Sequence, residues 1–174
     1  MRTKAALAGG VCLLLLAGCG GSGSASAPSA PVATPTPVAT QAEVTLTVSP
    51  PTLVAKPNND RTYPWLVEWT LVLRESAGLG GNVNYVNVGF VNSFGFETPS
   101  ALNYGADEII RRAGTNHLGA RGELRIPLGM IYTADGFGQR TITLKNAVSF
   151  TDDRGNATLL GATANVVAHE VAPF

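Results

Sequence analysis

The chain has 174 residues with 12 basic and 12 acidic side chains, and 45% of its residues are hydrophobic against 14% charged. This neutral balance, without a long run of like charge, excludes electrostatic capture of a polyanion, so no nucleic-acid partner is expected. Both cysteines, Cys12 and Cys19, fall in the first 19 residues, so no disulfide can staple a later domain and its core must hold by packing.

The chain opens with Arg2 and Lys4, followed by an apolar run from Ala5 to Ala17. As a helix that run would reach about 20 Å, short of a hydrocarbon core of about 30 Å, and it reads as a signal peptide over residues 1–18. Losing Arg2 and Lys4 with it takes the 12 basic residues to 10 against 12 acidic ones, a net charge of −2. The run ends Leu16-Ala17-Gly18-Cys19. This resembles the lipobox of bacterial lipoproteins, and the resemblance implies that Cys19 accepts diacylglycerol and becomes the first mature residue. Cys12 lacks a long apolar run upstream and is read as filler. The resemblance implies a membrane partner through the lipid on Cys19 and a place in the cell envelope. Gly20 follows the cysteine where aspartate would resemble an inner-membrane retention signal, which favours the outer membrane in an organism with two membranes.

Residues 19–42 form the lipidated cysteine and a tether rich in Gly, Ser, Ala, Pro and Thr, with neither charge nor aromatic residue. Such a segment buries too little to offset its ordering entropy. From Glu43 the hydrophobic period becomes two. EVTLTVS places Val44, Leu46 and Val48 on one face, and WLVEWTLVLRE places Trp65, Val67, Trp69, Leu71 and Leu73 together. Turn glycines at 78, 80 and 81 precede NVNYVNVGFVN, with Val86, Val88 and Phe90 inward. Asn92 to Ala106 alternates poorly and reads as a long loop, followed by a short strand near DEIIRR. GELRIPLGM aligns Leu124, Ile126, Leu128 and Met130, with Pro127 marking an edge or a bulge. RTITLKNAVSFT and ATLLGATANVVA, joined by DDRGN, form a terminal hairpin with Ile142, Leu144, Val148 and Phe150 inward on its first strand.

The expected fold is therefore all-β: a two-layer antiparallel β-sandwich of seven or eight strands over residues 43–174. The Trp69 strand, GELRIPL and the hairpin SFTDDRGNATL resemble immunoglobulin-like and fibronectin type III-like modules of bacterial envelope proteins.

Within that frame, Phe94, Phe96 and Tyr104 form a candidate binding loop, because long loops in compact domains are often functional and aromatic rings anchor partners. The opposing expectation is that these rings close one end of the sandwich. Asp152, Asp153 and Asn156 have the flavour of a calcium loop, but adjacent aspartates with Gly155 fit a hairpin turn better. His117 and His169 stand apart with no third ligand in reach, so no metal or other cofactor is expected. GLGGNV fails the dinucleotide fingerprint and no nucleophile elbow occurs, while Glu75, Glu97, Asp107 and Glu108 could supply a carboxylate pair if they met in space, although scattered surface carboxylates explain them more cheaply. The leading expectation is a non-enzymatic binding or structural module with an envelope protein or glycan partner. The alternative is an enzyme, or a calcium- or carbohydrate-binding module, whose site is assembled from dispersed residues.

Overall fold

The computed structural model describes residues 38–133 and 141–168, so Cys19, the signal segment and His169 lie outside the described residues. Nine strands and one helix follow in chain order: β1 (Val44–Ser49), β2 (Thr52–Pro57), β3 (Trp65–Glu75), β4 (Gly81–Asn92), β5 (Glu97–Gly105), α1 (Ala106–Ala113), β6 (His117–Leu118), β7 (Glu123–Tyr132), β8 (Thr141–Asp152) and β9 (Ala157–Ala168). They form the expected immunoglobulin-like β-sandwich, with nine strands among the described residues against the expected seven or eight. In the smaller layer β3 lies between β1 and β7, and in the larger the order is β2, β9, β8, β4, β5, with β6 beside β4. The chain passes between layers within β2, whose Thr52–Ala55 run parallel to β9 while Lys56 and Pro57 pair with the start of β3. That parallel pair is the one departure from antiparallel order among the described strand pairs.

Alternation explains the layers. Every second residue of β3, β7 and β8 points inward, and Trp65, Val67, Trp69, Leu71 and Leu73 meet Leu124, Ile126, Leu128 and Met130 and, from the other layer, Ile142, Leu144, Val148 and Phe150 in one core. The register Trp69↔Leu128 and Thr70↔Pro127 leaves Pro127 on β7, which pairs with β3 alone. Pro127 therefore sits on an edge strand, where its missing N–H disrupts no ladder. Midway along β8 an inward position is polar: Asn146 is buried, accepts the Trp69 indole N–H at 3.1 Å and donates to the Ala162 carbonyl at 3.2 Å.

The sequence expectations need four corrections. Residues 97–105, read as loop, form β5. Its alternation is obscured by a register irregularity opposite Val88 and Phe90, where Gly89 admits the β5 backbone so closely that a Cβ would meet the Thr98 carbonyl at 2.8 Å. DEIIRR is helical, not a strand. A span of 8 residues with only Ile109 buried is too short to display a period, but Asp107 and Glu108 in its first turn and Arg111 and Arg112 in its last suit the helix dipole. Gly114 ends it with a left-handed φ of 80° and an N–H bond to Ile110. β2 adds a strand that the hydrophobic period does not reveal, because Pro50, Pro51 and Pro57 frame only two inward residues, Leu53 and Ala55. Finally, Thr40 and Ala42, assigned to the tether by composition, hydrogen-bond to the β8–β9 turn.

Truncating Trp69 to Ala should destabilise the fold by about 3 to 5 kcal/mol in equilibrium denaturation. Asn146→Ala, which strands the indole N–H in an apolar interior, should cost about 1 to 3 kcal/mol. Losses below about 1 kcal/mol in both would show that this bridge does not hold the layers together.

Candidate functional site

The strands of the sandwich run between two ends about 35 Å apart, from the length of β4. At one end the chain enters through Ala42 and Glu43; at the other lies the β4–β5 turn. These ends differ in chemistry.

The entry end is built on two buried carboxylates. Glu75 ends β3 and accepts backbone N–H bonds from Arg121 (2.7 Å), Ala77 (2.8 Å), Gly78 (2.9 Å) and, more weakly, Glu43 (3.4 Å). Arg121 adopts φ 54°, a left-handed conformation uncommon for a side-chain-bearing residue, and its N–H makes the shortest of these bonds. Burial alone would raise the Glu75 carboxyl, but bonds from Arg121, Gly78, Leu79 and Ala77 outweigh it and hold the pKa below the usual range. Asp152 ends β8 in the same manner. Its Oδ1 accepts the N–H groups of Asn156 (2.8 Å) and Arg154 (3.0 Å), while Oδ2 accepts the Asn156 side-chain amide (2.8 Å) and the Ala42 N–H (3.1 Å). Burial again opposes ionisation, and the bonds from Asn156, Ala42 and Arg154 win, holding the pKa down at about 2.

This arrangement accounts for the calcium candidates. Both oxygens of Asp152 face N–H donors, so a cation there would have to displace four hydrogen bonds. The exposed Asp153 instead uses its backbone N–H to bond the Gly80 carbonyl at 2.9 Å, and Asn156 spends its amide on Asp152 and on the Thr40 carbonyl. The loop thus works as an Asx-type turn that also fastens the incoming chain. Gly81 must be glycine, since a Cβ there would run into the Thr151 carbonyl and the Phe150 ring.

The three aromatic candidates are not brought together. Phe94 and Phe96 project from the β4–β5 turn, 61% and 72% exposed. That turn is fixed by Asn92, whose side-chain oxygen accepts the N–H groups of Phe94 and Phe96 at 3.0 and 2.9 Å. Tyr104 lies at the far end of β5, about 20 Å away along the strand, and is only 8% exposed. The Arg112 guanidinium lies 4.7 Å over its ring, its hydroxyl reaches the Gly129 carbonyl at 3.4 Å, and burial raises its pKa. Tyr104 is buried level with Val86, midway along β4 and against β7, so it closes the side of the sandwich and not an end, whereas Phe94 and Phe96 stand exposed at the end.

The dispersed titratable groups stay dispersed. Glu97 pairs with Lys145 at 2.8 Å near the aromatic turn, Glu108 pairs with Arg111 and Arg112 on α1, and Glu75 is sequestered at the opposite end of the domain from Glu97. His117 is exposed on β6, with Nδ1 3.3 Å from the Asn82 side-chain oxygen. Among the described residues, no three His, Cys, Asp or Glu side chains gather as a metal would require.

No family model matches the sequence, and no curated protein matches it. Solved structures share the architecture. The structural-genomics target SoR45 superposes with a TM-score of 0.53 at 5% identity, over 76% of this chain and 91% of its own. A protein designated ApaA from Bordetella pertussis gives 0.50 at 7% identity, over 75% and 97%. The CARDB domain of PF1109 from Pyrococcus furiosus, solved in complex with di-metal ions, gives 0.44 at 18% identity, over 74% and 89%. At such identities the likeness is one of fold alone.

Two measurements check this geometry. A carboxylate whose folded pKa is depressed contributes stability that is present above its unfolded pKa and lost as pH falls through the folded one. Stability should therefore hold above about pH 4 and fall toward about pH 2 as Asp152 protonates. Asp152→Asn should be less stable than wild type at pH 7, with the gap closing by pH 2; a gap independent of pH would contradict the assignment. Separately, Phe94→Ser with Phe96→Ser should leave the melting temperature nearly unchanged, whereas Tyr104→Ser should cost about 3 kcal/mol or more.

Proposed function

We propose that this chain is a lipid-anchored, non-catalytic module of the bacterial cell envelope, whose sandwich presents the Phe94–Phe96 turn to a protein partner. The observation that carries the reading is Leu16-Ala17-Gly18-Cys19 placed directly after a basic start and an apolar run. Two or more acyl chains on Cys19, at about 0.8 kcal/mol per buried methylene, anchor durably where one chain binds only marginally. Gly20 favours the outer membrane if the organism has two.

The position of the aromatic turn supports the same reading. Chain entry is fastened at Glu75 and Asp152, and Phe94 and Phe96 occupy the other end of the sandwich, clear of the segment that leads in. Exposed phenylalanines held by a rigid Asn92-capped turn suit a buried anchor in a protein interface, where truncating one such residue often costs more than 2 kcal/mol. Among the described residues, the separation of Glu75, Glu97, Glu108 and His117 supports a non-catalytic role, because catalysis needs a nucleophile, base or metal positioned beside another such group.

Cys19→Ala should abolish lipid labelling and move the protein from the detergent to the aqueous phase of a cloud-point separation. Continued partitioning with detergent, or a mature N-terminus elsewhere by intact mass, would overturn the anchor. In cross-linking on intact cells, the Phe94→Ser, Phe96→Ser variant should lose its specific adduct while keeping its lipid.

A further inference from the structure

The two outer faces of the sandwich differ in charge. On the smaller layer, β3 and β7 expose Glu68, Arg74, Glu123 and Arg125, joined by ion pairs such as Arg74–Glu123 at 2.7 Å, and Lys56 adds another to Glu68. That is an ordinary solvated surface. On the larger layer, the outward positions of β4, β5, β8 and β9 are asparagine, serine, threonine, glycine and small or apolar residues. Their charged members are Lys145 and Glu97, which neutralise each other at 2.8 Å. A broad sheet face without net charge, in a chain whose other face is studded with ions, is suited to a neutral ligand.

The hydrogen bonding of that face narrows the ligand further. The Asn87 amide donates to Ser100 Oγ at 2.5 Å and to Asn103 Oδ1 at 2.7 Å, and the Asn84 amide donates to Ser149 Oγ at 3.3 Å and Thr151 Oγ1 at 2.8 Å. With both amide donors engaged in each case, the two asparagines present oriented carbonyl acceptors. Between them stands Tyr85, its ring 46% exposed. Asn84 and Tyr85 both face outward because the β4–β8 register shifts between Val83 and Tyr85; strand bulges of this kind re-aim side chains and recur beside binding sites. An apolar ring flanked by neutral, pre-oriented acceptors matches a ligand that offers many hydroxyl donors and a flat C–H face.

Gly161 gives an independent sign. It lies in the middle of β9, level with Ala147 of β8 and, through it, with Asn87 of β4. Glycine weakens a strand interior, yet a Cβ at 161 would meet nothing within 4 Å, and no positive φ requires glycine there. The fold itself does not demand it. What its absent side chain provides is a level floor running from Asn87 across Ala147, with Tyr85 and the 67% exposed Leu159 along one side.

We propose that the outer face of β4, β8 and β9 is a binding platform for an uncharged polysaccharide, laid across Asn87, Ala147 and Gly161 against Tyr85. This surface is separate from the aromatic turn, and its assignment does not depend on the anchor. The test is native affinity electrophoresis of the full-length protein in a non-sugar detergent, through gels containing β-glucan, galactomannan or dextran, with alginate as the charged comparison. At least one neutral polymer should slow the wild type at least twofold, and alginate should not. Tyr85→Ala and Gly161→Thr should each abolish the retardation, while Phe94→Ser with Phe96→Ser should keep it. Gly161→Thr should not lower the melting temperature, which separates a blocked platform from a damaged fold. Three results would overturn the proposal: no retardation by any neutral polymer, retardation indifferent to Gly161→Thr, or a concentration-dependent dimer in sedimentation that Gly161→Thr dissolves, which would make a second copy the occupant.

Discussion

The structure depends on one polar contact between its two layers, in the apolar middle of the core. Trp69 belongs to the smaller layer and Asn146 to the larger, and the indole N–H meets the amide oxygen at 3.1 Å where both residues are buried. Without a cysteine in the sandwich, the layers are held by packing, and packing alone tolerates many registers of one greasy face on another. A buried donor that can be satisfied at a single position removes that freedom, because sliding β3 by two residues would leave both the indole N–H and the amide oxygen unpaired. Asn146 further donates to Ala162 of β9, so one side chain fixes the position of three strands.

A related economy governs the end where the chain enters. Glu75 and Asp152 terminate β3 and β8, strands of different layers, and each collects N–H groups that turns would otherwise leave unsatisfied. Because Ala42 bonds one and Glu43 the other, the boundary between tether and domain is set by hydrogen bonds to two carboxylates. Ordering consequently begins before the first strand, with Thr40 held by Asn156. Composition cannot reveal this, since Thr40-Gln41-Ala42 is as featureless as the residues preceding it.

Legibility from sequence followed the amount of burial per element. β3, β7 and β8 bury alternating residues over 10 or more positions, and β9 alternates exposed residues with half-buried or buried ones over most of its length, so their periods are plain. β2, β5 and α1 bury few residues each, and a pattern of two inward positions is no pattern. The Phe94, Phe96, Tyr104 grouping failed for a related reason. Nearness in sequence is not nearness in space here, because β5 extends between them and carries Tyr104 back into the core. The acidic and basic halves of α1, with Gly114 behind them, were the signal that would have identified the helix. The outer platform was invisible because it draws Tyr85, Ala147 and Gly161 from three strands, and because the glycine matters only once its surroundings are known to be empty.

What recognition this domain performs is restricted by how its edges end. An exposed strand edge invites another strand to pair with it, and proteins block such edges with proline, bulges or covering elements. Here β7 carries Pro127 and has α1 packed beside it, and β5 carries Pro99 together with the irregularity opposite Gly89. Neither offers an uninterrupted row of N–H groups, so recognition by strand addition is disfavoured at both. Two surfaces need no backbone pairing at all: the aromatic turn at one end and a flat, uncharged sheet face along the side. The turn presents apolar rings that want a partner able to exclude water around them, whereas the face presents acceptors already oriented by their neighbours and suits a hydroxyl-rich chain. The two surfaces have opposite polarity, so a ligand suited to one gains little from the other, and a single domain can hold both without competition.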